Sequence, residues 1–152
     1  MKIDADAAAP EAQELRILTG VPIFAPLPGA ALEHIAARLS PLRIDPGTVV
    51  VREGDAGDRF YVIVEGEVEV TAEGKPVSTL APGGYFGEIA LLKDVPRTAT
   101  VTAKTPLVLY ALEREDFLAT VTGHAPSAKA AESVIGARLS GLATAAGNPM
   151  ST

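Results

Sequence analysis

Tyr85-Phe86-Gly87-Glu88-Ile89-Ala90-Leu91-Leu92-Lys93-Asp94-Val95-Pro96-Arg97-Thr98-Ala99-Thr100-Val101 is the stretch that decides how this chain is read. Gly87 supplies a turn, and a short apolar helix follows it. Backbone N–H groups at a helix start have no partner inside the helix, and the helix dipole adds to their pull on an anion. Glu88 comes directly after the glycine, and Arg97 lies nine positions further on, beside the Thr98 hydroxyl. Amides and a guanidinium suit a phosphate, and a carboxylate suits a sugar hydroxyl. The twelve residues from Gly87 to Thr98 hold all of these groups.

Around this stretch, residues 41–112 read as short strands and tight turns. Asp45-Pro46-Gly47, Glu53-Gly54-Asp55, Glu65-Gly66-Glu67, Glu73-Gly74-Lys75 and Pro82-Gly83-Gly84 punctuate the chain about every ten residues, the spacing of a β-sandwich or barrel. Val49-Val50-Val51, Phe60-Tyr61-Val62-Ile63-Val64 and Leu107-Val108-Leu109-Tyr110 are dense apolar strands. Glu67-Val68-Glu69-Val70-Thr71 alternates, so one of its faces meets water. The expected fold is mainly β with flanking helices: a double-sheet jelly roll (double-stranded β-helix) with N-terminal helices and C-terminal hinge and lid helices.

Helical patterns flank this core. Leu32, Ile35, Ala36 and Leu39 form an i, i+3, i+4, i+7 stripe, and Pro28 suits a first helical turn. Acids at 113, 115 and 116 open a second helix over 113–121. The Gly123-His124-Ala125-Pro126 run should break it, with Ser127 capping a last helix that reaches about Leu142 through Ile135, Leu139 and Leu142. The expected organisation is a flexible segment at 1–12, one domain at 13–142 with its jelly roll at about 41–112 and C-terminal helices at about 113–142, and a loose tail at 143–152.

Composition is compatible with one water-soluble domain of 152 residues. Hydrophobic residues make up 47%, yet no apolar run approaches a membrane span, so no membrane insertion is expected. The acidic N-terminus carries no signal core, which argues for a cytoplasmic location. The absence of Cys excludes disulfides and Cys-ligated metal. A net charge of −6 disfavours nucleic acid polymers as partners. The Ala-, Asp- and Glu-rich composition points to a bacterium with a GC-rich genome.

Phe-Gly-Glu-Ile-Ala-Leu-Leu over 86–92 followed by Pro-Arg-Thr-Ala-Thr-Val over 96–101 resembles the phosphate-binding cassette of cyclic nucleotide-binding domains. That family includes catabolite activator proteins, regulatory subunits of cyclic-AMP-dependent kinases and cyclic-nucleotide-gated channels. The likeness extends over residues 23–142. Taken singly, Gly87 is one more turn glycine, Glu88 a solvated acid, Arg97 a rim ion-pair former and Thr98 a strand-favouring residue. Within the cassette each acquires a role. The resemblance implies that Gly87 lets the backbone approach an anion, that Glu88 accepts the ribose 2′-hydroxyl and that the amides of Ile89 and Ala90 donate to phosphate. It further implies that Arg97 binds the exocyclic oxygens and that Thr98 contacts phosphate or base. Ile135 and Leu139 are the candidate lid residues over the purine.

No catalytic residue is expected, and no metal: His34 and His124 lie on helical segments, not at the ligand spacing a metal-dependent jelly-roll enzyme needs. Asp55 and Asp58 read as turn chemistry. The expected function is a regulatory sensor domain that binds cyclic AMP, with cyclic GMP as the alternative ligand and a degenerate interaction module as the alternative class. About thirty residues of the expected domain follow Leu112, from 113 to 142, enough for a hinge and lid helix but not for a helix-turn-helix domain. The expected output is a stand-alone sensor or an unseen effector, fused or associated, such as a transporter, channel or enzyme.

Overall fold

The computed structural model describes residues 13–145, with side chains through residue 140. The expected flexible segment at 1–12 and most of the expected tail, 146–152, lie outside the described residues. A first helix, α1 (13–19), leads through a chain of tight turns at 20–27 into α2 (Gly29–Ala36). Eight strands follow: β1 (Ser40–Ile44), β2 (Val49–Val51), β3 (Arg59–Glu65), β4 (Val68–Ala72), β5 (Lys75–Leu80), β6 (Tyr85–Phe86), β7 (Thr100–Ala103) and β8 (Leu107–Glu113). The short helix α3 (Glu88–Leu92) interrupts them between β6 and β7, and α4 (Arg114–Thr122) and α5 (Ala125–Ala145) close the chain.

Two antiparallel four-stranded sheets, ordered β1-β8-β3-β6 and β2-β7-β4-β5, form the jelly roll. The expected turns fall between the expected strands. At the β3–β4 turn a Cβ on Gly66, which has φ +91°, would stand 2.2 Å from the Pro106 carbonyl oxygen, so only glycine fits. Pro76 is tolerated in β5 because β5 is an edge strand.

The dense strands are apolar on both faces because both faces are covered. In β3, Tyr61 and Ile63 point between the sheets, into a core with Val68, Val70, Phe86, Val101 and Leu109. Phe60 and Val62 point the other way, into a second core with Leu18, Phe24, Ile35, Phe117 and Val121 from the helices and the 20–27 turns. Phe60 is the centre of that second core. Its ring lies 4.8 Å from Phe117, 5.4 Å from Phe24 and 6.0 Å from Tyr85.

Three helical expectations change. The break after α4 is shorter than the Gly123–Pro126 run, because α5 already starts at Ala125. Pro126 sits in the first turn of α5, where its missing N–H leaves no helical acceptor empty. Ser127 is not a cap. It lies inside the helix, fully buried, and its Oγ donates to the Ile23 carbonyl at 2.6 Å. At its far end α5 runs on to Ala145 through Gly141, past the expected stop at 142.

The Ser127 bond ties the start of α5 to the N-terminal turns. Replacing Ser127 with Ala leaves the Ile23 carbonyl buried and unsatisfied, so stability should fall by about 1–3 kcal/mol. Urea unfolding of Ser127→Ala measures this, and an unchanged midpoint and slope would contradict it.

Candidate functional site

The site is built where β6 ends. Gly87 caps α3 with φ 104°, a left-handed conformation. A Cβ there would meet the Arg59 carbonyl oxygen and Arg97 Nη1, each at 2.8 Å. Both the conformation and the space therefore demand glycine. Behind the turn, Glu88, Ile89, Ala90 and Leu91 are all buried. Gly57, in the β2–β3 loop, backs this helix so closely that a Cβ on it would lie 2.6 Å from Ala90 Cβ. The first-turn amides of α3 have no acceptor within the helix.

Arg97 returns to the same place from the loop before β7. Its main chain is pinned to the 54–55 turn: its N–H donates to the Asp55 carbonyl at 2.7 Å, and its own carbonyl accepts from the Gly54 N–H at 2.9 Å. The side chain is 4% exposed. Nη1 donates to the Gly87 carbonyl at 3.2 Å, and Nη2 to the Arg59 carbonyl at 2.9 Å and to Asp58 Oδ1 at 3.3 Å. A guanidinium carries five N–H groups. The Nε–H and one Nη1–H therefore remain without an acceptor among the described residues.

A cavity of about 280 Å³ opens in front of these groups. Gly87, Glu88, Ile89, Ala90, Arg97 and Thr98 all line it, so the structure brings the six cassette residues to one cavity. Val51, Val70, Leu80, Phe86 and Val101 make the rest largely apolar. An apolar chamber with a few placed polar groups is the usual form of a small-molecule site.

The two candidate lid residues are placed elsewhere. Ile135 is buried but does not line the cavity, and Leu139 is 40% exposed. The α5 residue that does line it is Arg138. Its Nη1 donates to Glu88 Oε2 at 2.8 Å and to Oε1 at 3.0 Å, and its guanidinium lies 4.3 Å from the Tyr85 ring centre. Sequence reading passed over Arg138. It stands seven residues after buried Ala131 and three after buried Ile135, on the stripe that faces the domain, and that spacing was the available signal. Asp58 was likewise read as turn chemistry alone, and here it accepts from Arg97. His34 is exposed on α2, and His124 Nδ1 lies 2.8 Å from the Thr120 carbonyl oxygen.

Residues 41–124 match the family described as cyclic nucleotide-binding domain. The chain is 47% identical over 102 residues to a cAMP-dependent protein kinase regulatory subunit of Yarrowia lipolytica, a match over 66% of this chain and 27% of that protein. It is 41% identical over 102 residues to a cyclic nucleotide-gated potassium channel of Rhizobium etli, over 67% of this chain and 28% of the channel. The chain thus spans little more than a quarter of the length of these relatives. Among solved structures, the regulatory domain of Toxoplasma gondii PKA with cAMP superposes with a TM-score of 0.69 at 33% identity, over 72% of this chain and 44% of that one. The matched span runs from β1 through α4 and contains the whole cassette, so the chain belongs to the cyclic nucleotide-binding domain family and is a cyclic nucleotide-binding regulatory domain.

Proposed function

We propose that the cavity binds a 3′,5′-cyclic purine nucleotide, cyclic AMP in preference to cyclic GMP, and that binding is passed on through α5. One observation carries this reading: all six cassette residues line one cavity, with spare Arg97 donors and the N-terminus of α3 beside a buried carboxylate. In this reading the phosphate sits between the amides of Ile89 and Ala90 and the Arg97 guanidinium. Gly87 allows the approach, and Glu88 takes the ribose 2′-hydroxyl. The largely apolar remainder of the cavity suits adenine, whose polar demand is small. The solved Toxoplasma neighbour holding cAMP supports the same choice. Thr98 also lines the cavity, and a guanine amino group could partner its hydroxyl, which is the case for the alternative ligand.

We read the chain as a binding domain without a catalytic step, located in the cytoplasm. No helix among the described residues is long and apolar enough to cross a membrane. The relatives named above are a kinase regulatory subunit and a channel, which supports an effector of one of those kinds, fused or associated. In this reading α5 is the moving part, and Ile135 and Leu139, which lie off the cavity here, act as lid positions only if the helix shifts on binding.

Arg97 is the decisive residue. Removing one partner of a desolvated charge pair costs about 2–5 kcal/mol, so Arg97→Ala should bind cyclic AMP roughly 30-fold to several thousand-fold more weakly. Titration of the variant, with circular dichroism to verify the fold, checks this. Wild-type affinity in a folded Arg97→Ala protein would remove Arg97 from the site.

The role of α5 is tested by hydrogen exchange. A ligand that favours the docked helix suppresses local opening, so exchange in residues 127–142 should slow when cyclic AMP is added to saturation. Equal exchange with and without nucleotide would show that α5 is a fixed part of the domain.

A further inference from the structure

The roles proposed above leave one matter open. Glu88 is 1% exposed, and a carboxylate so buried keeps its aim only if something on the protein hydrogen-bonds to it. That something comes from another element. Among the described residues, the side-chain partner of the Glu88 carboxylate is Arg138, fifty positions along the chain, which contacts both of its oxygens through Nη1. Tyr85 gives the guanidinium a shelf, its ring centre 4.3 Å away. Burial raises the Tyr85 hydroxyl above its ordinary range, with Arg138 opposing and Glu88 adding, so the shelf is a neutral phenol. Shelf and carboxylate lie three residues apart on the chain, across the Gly87 turn.

A second ion pair fixes where Arg138 can stand. Lys93 Nζ lies 3.1 Å from Glu132 Oε1 and 3.3 Å from Oε2. Along α3 and its cap the charges run Glu88 then Lys93, and along α5 they run Glu132 then Arg138. The helices therefore meet in antiparallel sense, with one register satisfying both pairs. A slip of one helical turn, about 5.4 Å, would separate both.

We infer that Arg138 is a positioning residue that sets the preference of the site for ribose over deoxyribose cyclic nucleotides, by holding the Glu88 carboxylate oriented toward the cavity. This rests on the cyclic-nucleotide reading of the cavity. An ionised carboxylate offers about four lone-pair directions, so a ribose hydroxyl can bind Glu88 while Arg138 stays in place. Without Arg138, no other side chain among the described residues holds this carboxylate in place, and it is free to swing out of line with the hydroxyl. That change weakens the bond to the hydroxyl specifically. A residue that only seats α5, or only covers the ligand, would affect ribose and deoxyribose nucleotides alike.

The test is a ratio of affinities. Cyclic AMP and 2′-deoxy cyclic AMP are titrated into the wild-type chain, Arg138→Ala and Arg138→Lys, with thermal unfolding to verify each fold. A hydrogen bond to a charged group should give the wild type a preference of about tenfold or more for the ribose ligand. In Arg138→Ala the preference should shrink to about two- to threefold, whatever happens to absolute affinity. Arg138→Lys keeps the charge but loses the planar fork, and should fall between the two; it also supplies the ratio if the alanine variant binds too weakly to measure. A wild-type ratio in either variant overturns the inference and leaves Arg138 as a helix-seating residue. If the wild type binds neither nucleotide, the cyclic-nucleotide reading fails and this inference falls with it.

Discussion

The cavity depends on the Arg97 guanidinium more than on any other group. Its bonds to the carbonyls of Gly87 and Arg59 join the cassette to the start of β3, and its main chain is stitched to the 54–55 turn. The space in front of Gly87 is filled by the same guanidinium, which is one reason that position admits no side chain. A charge held on several protein acceptors, with donors left over, is organised before any ligand arrives. Binding then costs little further ordering, which is where preorganised sites gain affinity.

The second constraint is the two-sidedness of β3. Tyr61 stacks on Phe86 at 5.0 Å inside the sandwich, while its neighbour Phe60 stacks on Phe117 at 4.8 Å among the helices. Phe86 is the residue before Gly87 and also lines the cavity. The wall of the site, the sheet and α4 are therefore joined by direct packing. At the other end of this packed body, α5 is held by Ser127 on the N-terminal turns, by Glu132 on Lys93 and by Arg138 on Glu88. A change at the Glu88 end has a rigid helix on which to act.

Much of this was legible in the sequence because the signals were local. The turns, the alternation in Glu67–Thr71 and the Gly87–Glu88 start of α3 each depend on neighbouring residues, and each falls where the pattern placed it. Six cassette residues line one cavity because four of them cap and open α3 and the other two lie on the loop before β7. What escaped were contacts made at a distance. Ser127 looked like a helix cap, since nothing nearby in sequence announces the Ile23 carbonyl that it meets. Asp58 looked like turn chemistry for the same reason, its partner Arg97 lying 39 positions away. Arg138 was passed over because apolar periodicity drew attention to Ile135 and Leu139. A helix face that turns from buried aliphatic residues to a cation as it reaches a cavity is a polar signal, and apolar periodicity does not register it.

On this reading the cavity is a cyclic-nucleotide site with a preference for adenine. Isothermal titration of the purified chain with cyclic AMP and, in parallel, cyclic GMP tests that claim most directly. That reading predicts saturable binding of one cyclic AMP per chain, with cyclic GMP weaker. A folded chain that binds neither nucleotide would contradict the account, and tighter binding of cyclic GMP would contradict its assignment of the base.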